Sequence, residues 1–349
     1  MSQSSKLRML AALSNRGVLS SCADAIGDTP LVSLSRVVSH LGLRGTIVAK
    51  LENLNPGYSK KDRIALQIVE DALEMGQLQR GQPVVELTSG NTGTGLAIVC
   101  AVSGNPFVAV MSRGNSPERA RMMRSLGARV VLVEQQPGSV PGQVSGDDLK
   151  LVEEEAERVC EELGAFRADQ FNHSGNYRAH YLRTGPEIVA ACDASEHPLP
   201  DAFVDFVGSG GTFAGVADSL REVNSALKAY VVEPEGAAVI DAARLGLPRP
   251  VDPGHPIQGG GYSMDALPML ESMTTAVDGY LQVSGDEARE HVQLMARLEG
   301  VFGGYSAGAN LAAACSLLAP GAEHEGGTVA MVVCDSGLKY LSSDLFEES

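Results

Sequence analysis

An α/β fold with parallel sheets flanked by helices is predicted by three observations. Short apolar runs of β character alternate with stretches in which apolar residues recur every three or four positions. Two of these runs end in small turn-forming clusters, Ser89-Gly90-Asn91 and Gly208-Ser209-Gly210, and pass straight into helical stretches. The 349 residues allow two domains or one large one. Strand–helix alternation of this kind favours parallel pairing, because each helix crosses back over the sheet face.

The elements follow in order. Thr46–Ala49 reads as a strand, and Ile64, Ala65, Ile68, Val69, Ala72 and Leu73 lie at helix spacing. Pro83–Leu87 is a strand, followed by a helix from about Gly93 to Val102. Phe107–Val110 is a strand, Pro117–Leu126 a helix with proline near its start, and Arg129–Val133 a strand. Asp148–Leu163 is a helix whose early acidic residues suit its positive end. The pattern repeats with strand Phe203–Val207, a helix from about Thr212 to Val223, strand Tyr230–Val232 and a late strand Val329–Val333. Gln136–Gly146 and Leu245–Gly261 are rich in Pro and Gly and read as loops. No repeat of solenoid period is present.

Composition narrows the function. A net charge of −16 repels phosphate backbones and argues against nucleic acid as partner. The six cysteines are scattered, without a C-x-x-C pair or a His/Cys zinc spacing, so no metal is expected. Most lie in apolar runs, as reduced thiols do in a reducing compartment. The apolar stretch Met9–Leu13 is too short for a secretory core or a membrane span, so a cytoplasmic protein without membrane contact is expected.

Four segments carry chemistry. In Asn55-Pro56-Gly57-Tyr58-Ser59-Lys60-Lys61-Asp62-Arg63 a turn runs into a helix, and a lysine held there is placed to form a Schiff base with a carbonyl cofactor. Most lysines are solvated surface charges, so the segment alone says little. Thr88-Ser89-Gly90-Asn91-Thr92-Gly93 offers hydroxyls and N–H groups to a carboxylate, and the same residue types are the preferred helix caps. Gly208-Ser209-Gly210-Gly211-Thr212 opens a helix after a strand, the geometry of a phosphate cradle. Taken alone, the plainer reading, a glycine-rich turn, wins. The spacing departs from G-x-G-x-x-G, and a dinucleotide site using Glu233 to Glu235 is the weaker rival. Asp335-Ser336-Gly337 follows the late strand and reads as a turn that presents a neutral hydroxyl.

In this order the four segments resemble the cysteine synthase and cystathionine β-synthase family of fold type II pyridoxal-phosphate enzymes, from about Ile26 to Phe346. The resemblance implies a two-domain α/β fold with pyridoxal 5′-phosphate in the cleft between domains. Residues 1–25 would be an extension, 56–171 the smaller movable domain, and 26–55 with 172–349 the larger. Matching Asn55-Pro56-x-x-Ser59-x-Lys-x-Arg63 to the family pattern selects Lys61 over Lys60 as the catalytic, cofactor-bearing lysine. By the same resemblance Asn91 meets the cofactor's ring hydroxyl, and Gly208, Ser209, Gly210, Gly211 and Thr212 hold its phosphate. Ser336 faces its pyridine nitrogen. Thr88, Ser89, Gly90, Asn91, Thr92 and Gln170 bind the substrate carboxylate.

The acceptor side departs from the family pattern. Gln258-Gly259-Gly260-Gly261-Tyr262 stands where a Gly-Ile-Gly stretch is usual, which places Gly259 and Tyr262 beside the second substrate. Tyr58 replaces a small residue, and Asn172-His173-Ser174-Gly175 replaces Asn-Pro-Ala-Asn. His173 reads first as a hydrogen-bonded loop histidine and second as a contact of that substrate, and His180 reads as structural. The implied reaction is β-replacement on an activated L-serine through an α-aminoacrylate. The leading version is cysteine synthesis from O-acetylserine or O-phosphoserine and sulfide. The alternatives are a cystathionine-type or other synthase using a larger thiol or amine, and third, dehydratase-type β-elimination. The implied partners are an amino acid, a small nucleophile and a second copy of the chain in a homodimer.

Overall fold

The computed structural model describes residues 17–139, 144–195, 197–248, 250, 255–261 and 267–346. The chain begins with β1 (Leu31–Ser33), α1 (Ser35–His40) and β2 (Thr46–Lys50). Next come α2 (Lys61–Glu74), β3 (Val84–Leu87), α3 (Asn91–Ser103), β4 (Phe107–Ser112), α4 (Pro117–Ser125), β5 (Arg129–Val133), α5 (Gly146–Leu163) and β6 (Phe166–Arg167). Helix α6 (Gly175–Ala179) passes through a π-helical turn, His180–Thr184, into α7 (Gly185–Ala194). The rest is β7 (Ala202–Phe206), α8 (Gly211–Val223), β8 (Lys228–Pro234), α9 (Val239–Leu245), α10 (Pro268–Glu271), β9 (Gly279–Val283), α11 (Gly285–Glu299), α12 (Tyr305–Leu317) and β10 (Thr328–Val332).

Two sheets result. One has four strands in the order β5-β4-β3-β6, all parallel. The other has six in the order β1-β2-β10-β7-β8-β9, parallel except for the antiparallel edge strand β1. The alternation therefore produced the α/β architecture that it predicts, with β10 entering the centre of its sheet between β2 and β7. Strands β3, β4, β7 and β10 are buried along their whole length, as sheets covered on both faces require. Each sheet has a core on either face. Val204, Met331, Leu311 and Val292 pack on one side of the larger sheet, and Phe203, Phe213, Val216 and Ile188 on the other. Each such side chain removed from water contributes about 1.5–3 kcal/mol. Ala23 and Ile26 pack into the core of the four-stranded sheet, whereas residues 1–16 of the expected extension lie outside the described residues.

Several elements differ from the sequence reading. Helix α5 starts at Gly146, inside the expected loop, because Ser145 accepts from the Asp148 N–H and the Asp148 carboxylate accepts from the Ser145 N–H. Residues 140–143 of that loop lie outside the described residues. Leu245 is the last residue of α9, not the start of a loop. Helix α12 carried no readable period because its sequence is small and apolar on nearly every face, and it is buried accordingly. Strand β6 is two residues long, too short for any alternation to register.

Candidate active site

The turn before α2 is joined to the segment after β10 by backbone. Lys60 N–H donates to Cys334 O at 2.8 Å, and Ser336 N–H donates to Tyr58 O at 3.1 Å. Ser59 and Asp335 face each other as an isolated antiparallel bridge. Two segments nearly 280 residues apart in sequence are thus held side by side. The first turn of α2 is pinned from below by Arg63, whose guanidinium is buried. It meets both Glu52 carboxylate oxygens at 2.6 and 2.8 Å and both Glu187 oxygens at 2.6 and 2.7 Å. Lys50 pairs with Glu187 at 2.6 Å, closing a network that orients the start of the helix.

The neighbouring lysines are unlike each other. Lys60 Nζ meets both Asp205 oxygens at 2.9 and 2.8 Å. Burial opposes its charge, but the Asp205 carboxylate more than offsets this and holds the amine above its ordinary value. Among the described residues Lys61 Nζ has only the Ser209 hydroxyl, at 3.5 Å. Burial, and then the Lys60 charge beside it, lower Lys61 to about 8. A lysine with a committed carboxylate is a structural cation, and one without is a nucleophile in waiting.

The loop after β3 reaches the same segments, since Asn91 Nδ2 donates to Asp335 Oδ2 at 2.9 Å. Thr88 Oγ1 accepts from Gly90 N at 3.0 Å and Gly93 N at 2.9 Å, so Thr88 caps α3. Thr92 donates to Gln170 Oε1 at 2.6 Å, bringing the expected carboxylate residues together from two distant segments. Gln170 is held by buried Glu86, which accepts the Asp169 N–H at 2.7 Å and the Gln170 N–H at 3.4 Å. Burial pushes Glu86 up to about 7 despite the Arg167 charge. Ser89 and Asn91 remain partly accessible.

The glycine loop ends β7 and opens α8. The unpaired N–H groups of the first turn of α8 point at the space before it, where an anion is favoured. Asn176 donates to Ser209 Oγ at 2.8 Å and to Gln170 O at 2.6 Å, which ties the glycine loop to the Gln170 segment. Gly211 is required by this packing, since a Cβ there would lie 2.0 Å from Asn176 Oδ1. Thr212 Oγ1 meets His180 Nε2 at 3.1 Å, and His180 Nδ1 meets Thr184 Oγ1 at 2.9 Å. His180 thus reaches the loop itself. Burial lowers its basicity well below the ordinary value, so the neutral ring donates to one hydroxyl through its N–H and accepts from the other at its bare nitrogen.

On the acceptor side Gly260 lies against the end of β7, where a Cβ would come 2.4 Å from Val207 O. The isoleucine usual in the resembling family has no room in this chain. At Gly259 an added Cβ would meet no described residue within 4 Å. Tyr262 lies outside the described residues. His173 is drawn inward, accepting from Gly175 N–H at 3.0 Å and set edge-on to Phe166, the bonded-loop role that was its first reading. Tyr58 is 44% exposed and holds φ +63, a strained conformation for a non-glycine residue.

Three side chains escaped the sequence reading. Arg119, on α4, donates to Ser89 O at 2.9 Å and also to Gln258 Oε1, bridging the loop after β3 to the triglycine segment. Asn176 directly follows Asn172-His173-Ser174-Gly175, where His173 rather than Asn176 drew notice. Lys339 donates to Gly57 O at 2.8 Å and to Asn91 Oδ1 at 2.5 Å. Burial lowers Lys339 to about 8, while Asp335 and Asp62 support its charge. Ser336 Oγ accepts from Leu338 N at 3.3 Å, which leaves its hydroxyl proton free to donate.

A family model described as pyridoxal-phosphate dependent enzyme matches residues 22–335. The chain belongs to this family. It is 36% identical over 321 residues to cysteine synthase of Staphylococcus aureus (strain N315), covering 92% of this chain and 95% of the relative. It is also 36% identical to O-ureido-L-serine synthase of Streptomyces lavendulae over 332 residues, covering 95% and 93%. Among solved structures, O-ureido-L-serine synthase superposes with a TM-score of 0.79 at 34% identity, covering 95% of this chain and 98% of that one. A hydrogen sulfide-producing enzyme from Fusobacterium nucleatum gives 0.81 at 32%, covering 94% and 99%. The enzyme is therefore a fold type II, pyridoxal-phosphate dependent one, as the resemblance implied. Its residues fit the group: an amine without a carboxylate partner, a helix terminus with hydroxyls for a phosphate, and a serine hydroxyl free to donate. Among the described residues no cluster suited to a metal ion occurs, and no helix is long and apolar enough to cross a membrane.

Proposed function

We propose that this enzyme catalyses β-replacement on an activated L-serine, and that cysteine formation from O-acetylserine or O-phosphoserine with sulfide is its leading reaction. The observation that carries the proposal is Lys61: a lysine lowered to about 8, facing the glycine loop, beside a hydroxyl-rich loop that reaches Gln170. Pyridoxal phosphate, when bound, supplies the electron sink that makes the α-proton acidic. Lys61 Nζ would hold the cofactor's carbonyl, Gly208 to Thr212 its phosphate, Asn91 its ring hydroxyl and Ser336 its ring nitrogen. A hydroxyl at that nitrogen leaves it unprotonated, which moderates the sink and favours exchange at Cβ over transamination.

The remaining steps belong to the chain's own groups. Thr88, Ser89, Gly90, Asn91, Thr92 and Gln170 bind the substrate carboxylate. Lys61 Nζ would take the proton from Cα as the acetate or phosphate departs from Cβ, and would return it to Cα after the nucleophile adds at Cβ. Residues 56–171 move as the smaller domain against 26–55 with 172–349 and exclude water, with Arg119 drawing Ser89 and Gln258 together. Gly259 belongs to the acceptor side, and Tyr262, assigned there by the resemblance, lies outside the described residues. The six free cysteines support a reducing, cytoplasmic setting. A homodimer is the proposed assembly, tested by light scattering.

A second reading keeps the first half-reaction and replaces sulfide by a larger thiol or amine. It is favoured by Tyr58, whose strained backbone is not repaid by burial of its ring. Purified enzyme is incubated with O-acetylserine, O-phosphoserine or serine, each with sulfide, homocysteine or an amine, and products are separated. Cysteine formed fastest from an activated serine supports the leading reading. Faster consumption of a larger nucleophile supports the second, and pyruvate with every donor overturns both.

A further inference from the structure

We propose that Lys339 is a positioning residue that locks the amide of Asn91 so that its N–H face, not its carbonyl, is turned to the cofactor's ring oxygen. The inference rests on the reading that Asn91 meets that oxygen.

The argument begins with what each neighbour of Asn91 can exchange. A lysine ammonium has three donors and no acceptor. The Asn91 atom facing Lys339 Nζ at 2.5 Å must therefore be Oδ1. On the opposite side the Asn91 Nδ2 donates to Asp335 Oδ2 at 2.9 Å, an oxygen that also accepts from Tyr340 OH at 2.8 Å. Donor-only and acceptor contacts from two sides leave one amide orientation. One of the two Nδ2 hydrogens is used by Asp335, and the second is free for a ring oxygen. The flipped amide would place its carbonyl against that oxygen and its NH2 against an ammonium, losing both contacts.

Lys339 is itself fixed. It stands on the 3₁₀ turn Gly337–Tyr340 that Ser336 caps, and it donates to Gly57 O at 2.8 Å in the turn before Lys61. One side chain thus joins the turn that carries Lys61, the turn after Ser336 and the head of α3. Asp62 keeps one buried carboxylate oxygen without a hydrogen bond, and its charge, with that of Asp335, supports the Lys339 cation. Asp62 also accepts from Gly57 N–H, so the same turn is gripped at both its N–H and its C=O.

The test uses purified full-length enzyme and reads cofactor affinity and the visible absorbance of the lysine-bound cofactor. Lys339→Met removes every donor. It is expected to weaken pyridoxal phosphate binding about tenfold and to shift the absorbance as Asn91→Ala does. Lys339→Arg and Lys339→Gln keep a donor toward Oδ1 and are expected to recover most of the loss, which a purely structural role would not grant to glutamine. The Lys339→Met/Asn91→Ala double variant is expected to lose no more than Asn91→Ala alone, since one change acts through the other. An unaltered Lys339→Met, or a double variant whose losses add, overturns the proposal while the reading of Asn91 stands. An Asn91→Ala variant identical to wild type in affinity and absorbance overturns that reading and the proposal with it.

Discussion

Replacing Lys60 by methionine tests why Lys61 is the reactive lysine. In the folded protein burial lowers Lys61 first and the Lys60 charge second, from 10.5 to about 8, while Asp205 pulls the other way. Lys60→Met removes the lowering charge and leaves the raising one unpaired, so both changes move Lys61 upward. At pH 7 an amine of pKa about 8 is free in roughly one molecule in ten, and at 10.5 in roughly one in three thousand. A rise of about one unit, part of the way back, cuts the free amine and its reactivity about tenfold at that pH. Competitive acetylation of cofactor-free protein between pH 6 and pH 10, with the Lys61 peptide quantified by mass spectrometry, reads the midpoint directly. Wild type should titrate near 8 and the variant near 9. Stranding Asp205 buried without its partner costs about 3–5 kcal/mol, so the labelling is done at low temperature with folding checked by circular dichroism. Lys60→Met/Asp205→Asn removes both charges and should shift Lys61 less than the single change. A midpoint unmoved or lowered in Lys60→Met would refute the electrostatic account.

Three further outcomes are expected. Ser336→Asp should favour a protonated ring nitrogen and raise the yield of transamination products relative to β-replacement; unchanged turnover and product ratio would show that residue 336 is not at that nitrogen. Arg63→Met strands the buried Glu52 carboxylate and should lower stability by about 3–5 kcal/mol in urea unfolding, with partial recovery in Arg63→Met/Glu52→Gln. Gly211→Ala places a methyl 2.0 Å from Asn176 Oδ1 and should weaken cofactor binding at least tenfold by equilibrium dialysis, whereas wild-type affinity would mean that the glycine loop is not the phosphate site.

Much of this protein was legible because local rules wrote it. Alternating apolar runs and helical periods predicted the α/β class, and strands such as Arg129–Val133 appear at their expected bounds. The loops Thr88 to Gly93 and Gly208 to Thr212 were legible because glycine at a strand end answers a local demand for tight backbone: Gly90 and Gly210 both hold positive φ at the helix starts, and neither helix takes the side-chain cap that serine or asparagine could have given at that position. Family resemblance then named the cofactor, and the family match over residues 22–335 bears it out.

What only the tertiary structure decided concerns partners far apart in the chain. Sequence spacing cannot say that Lys60 is committed to Asp205, 145 residues away, and that Lys61 is not. Nor can it say that Lys339 reaches Asn91 across 248 positions, or that Arg119 spans 139 to meet Gln258. Those choices come from tertiary contacts such as the pairing of residues 58–60 with 334–336, and the burial so created sets the charges. The pattern Asn55-Pro56-x-x-Ser59-x-Lys-x-Arg63 marks the position of Lys61 by resemblance but says nothing of its charge. Its chemistry is fixed by the carboxylate that the fold does or does not place beside it.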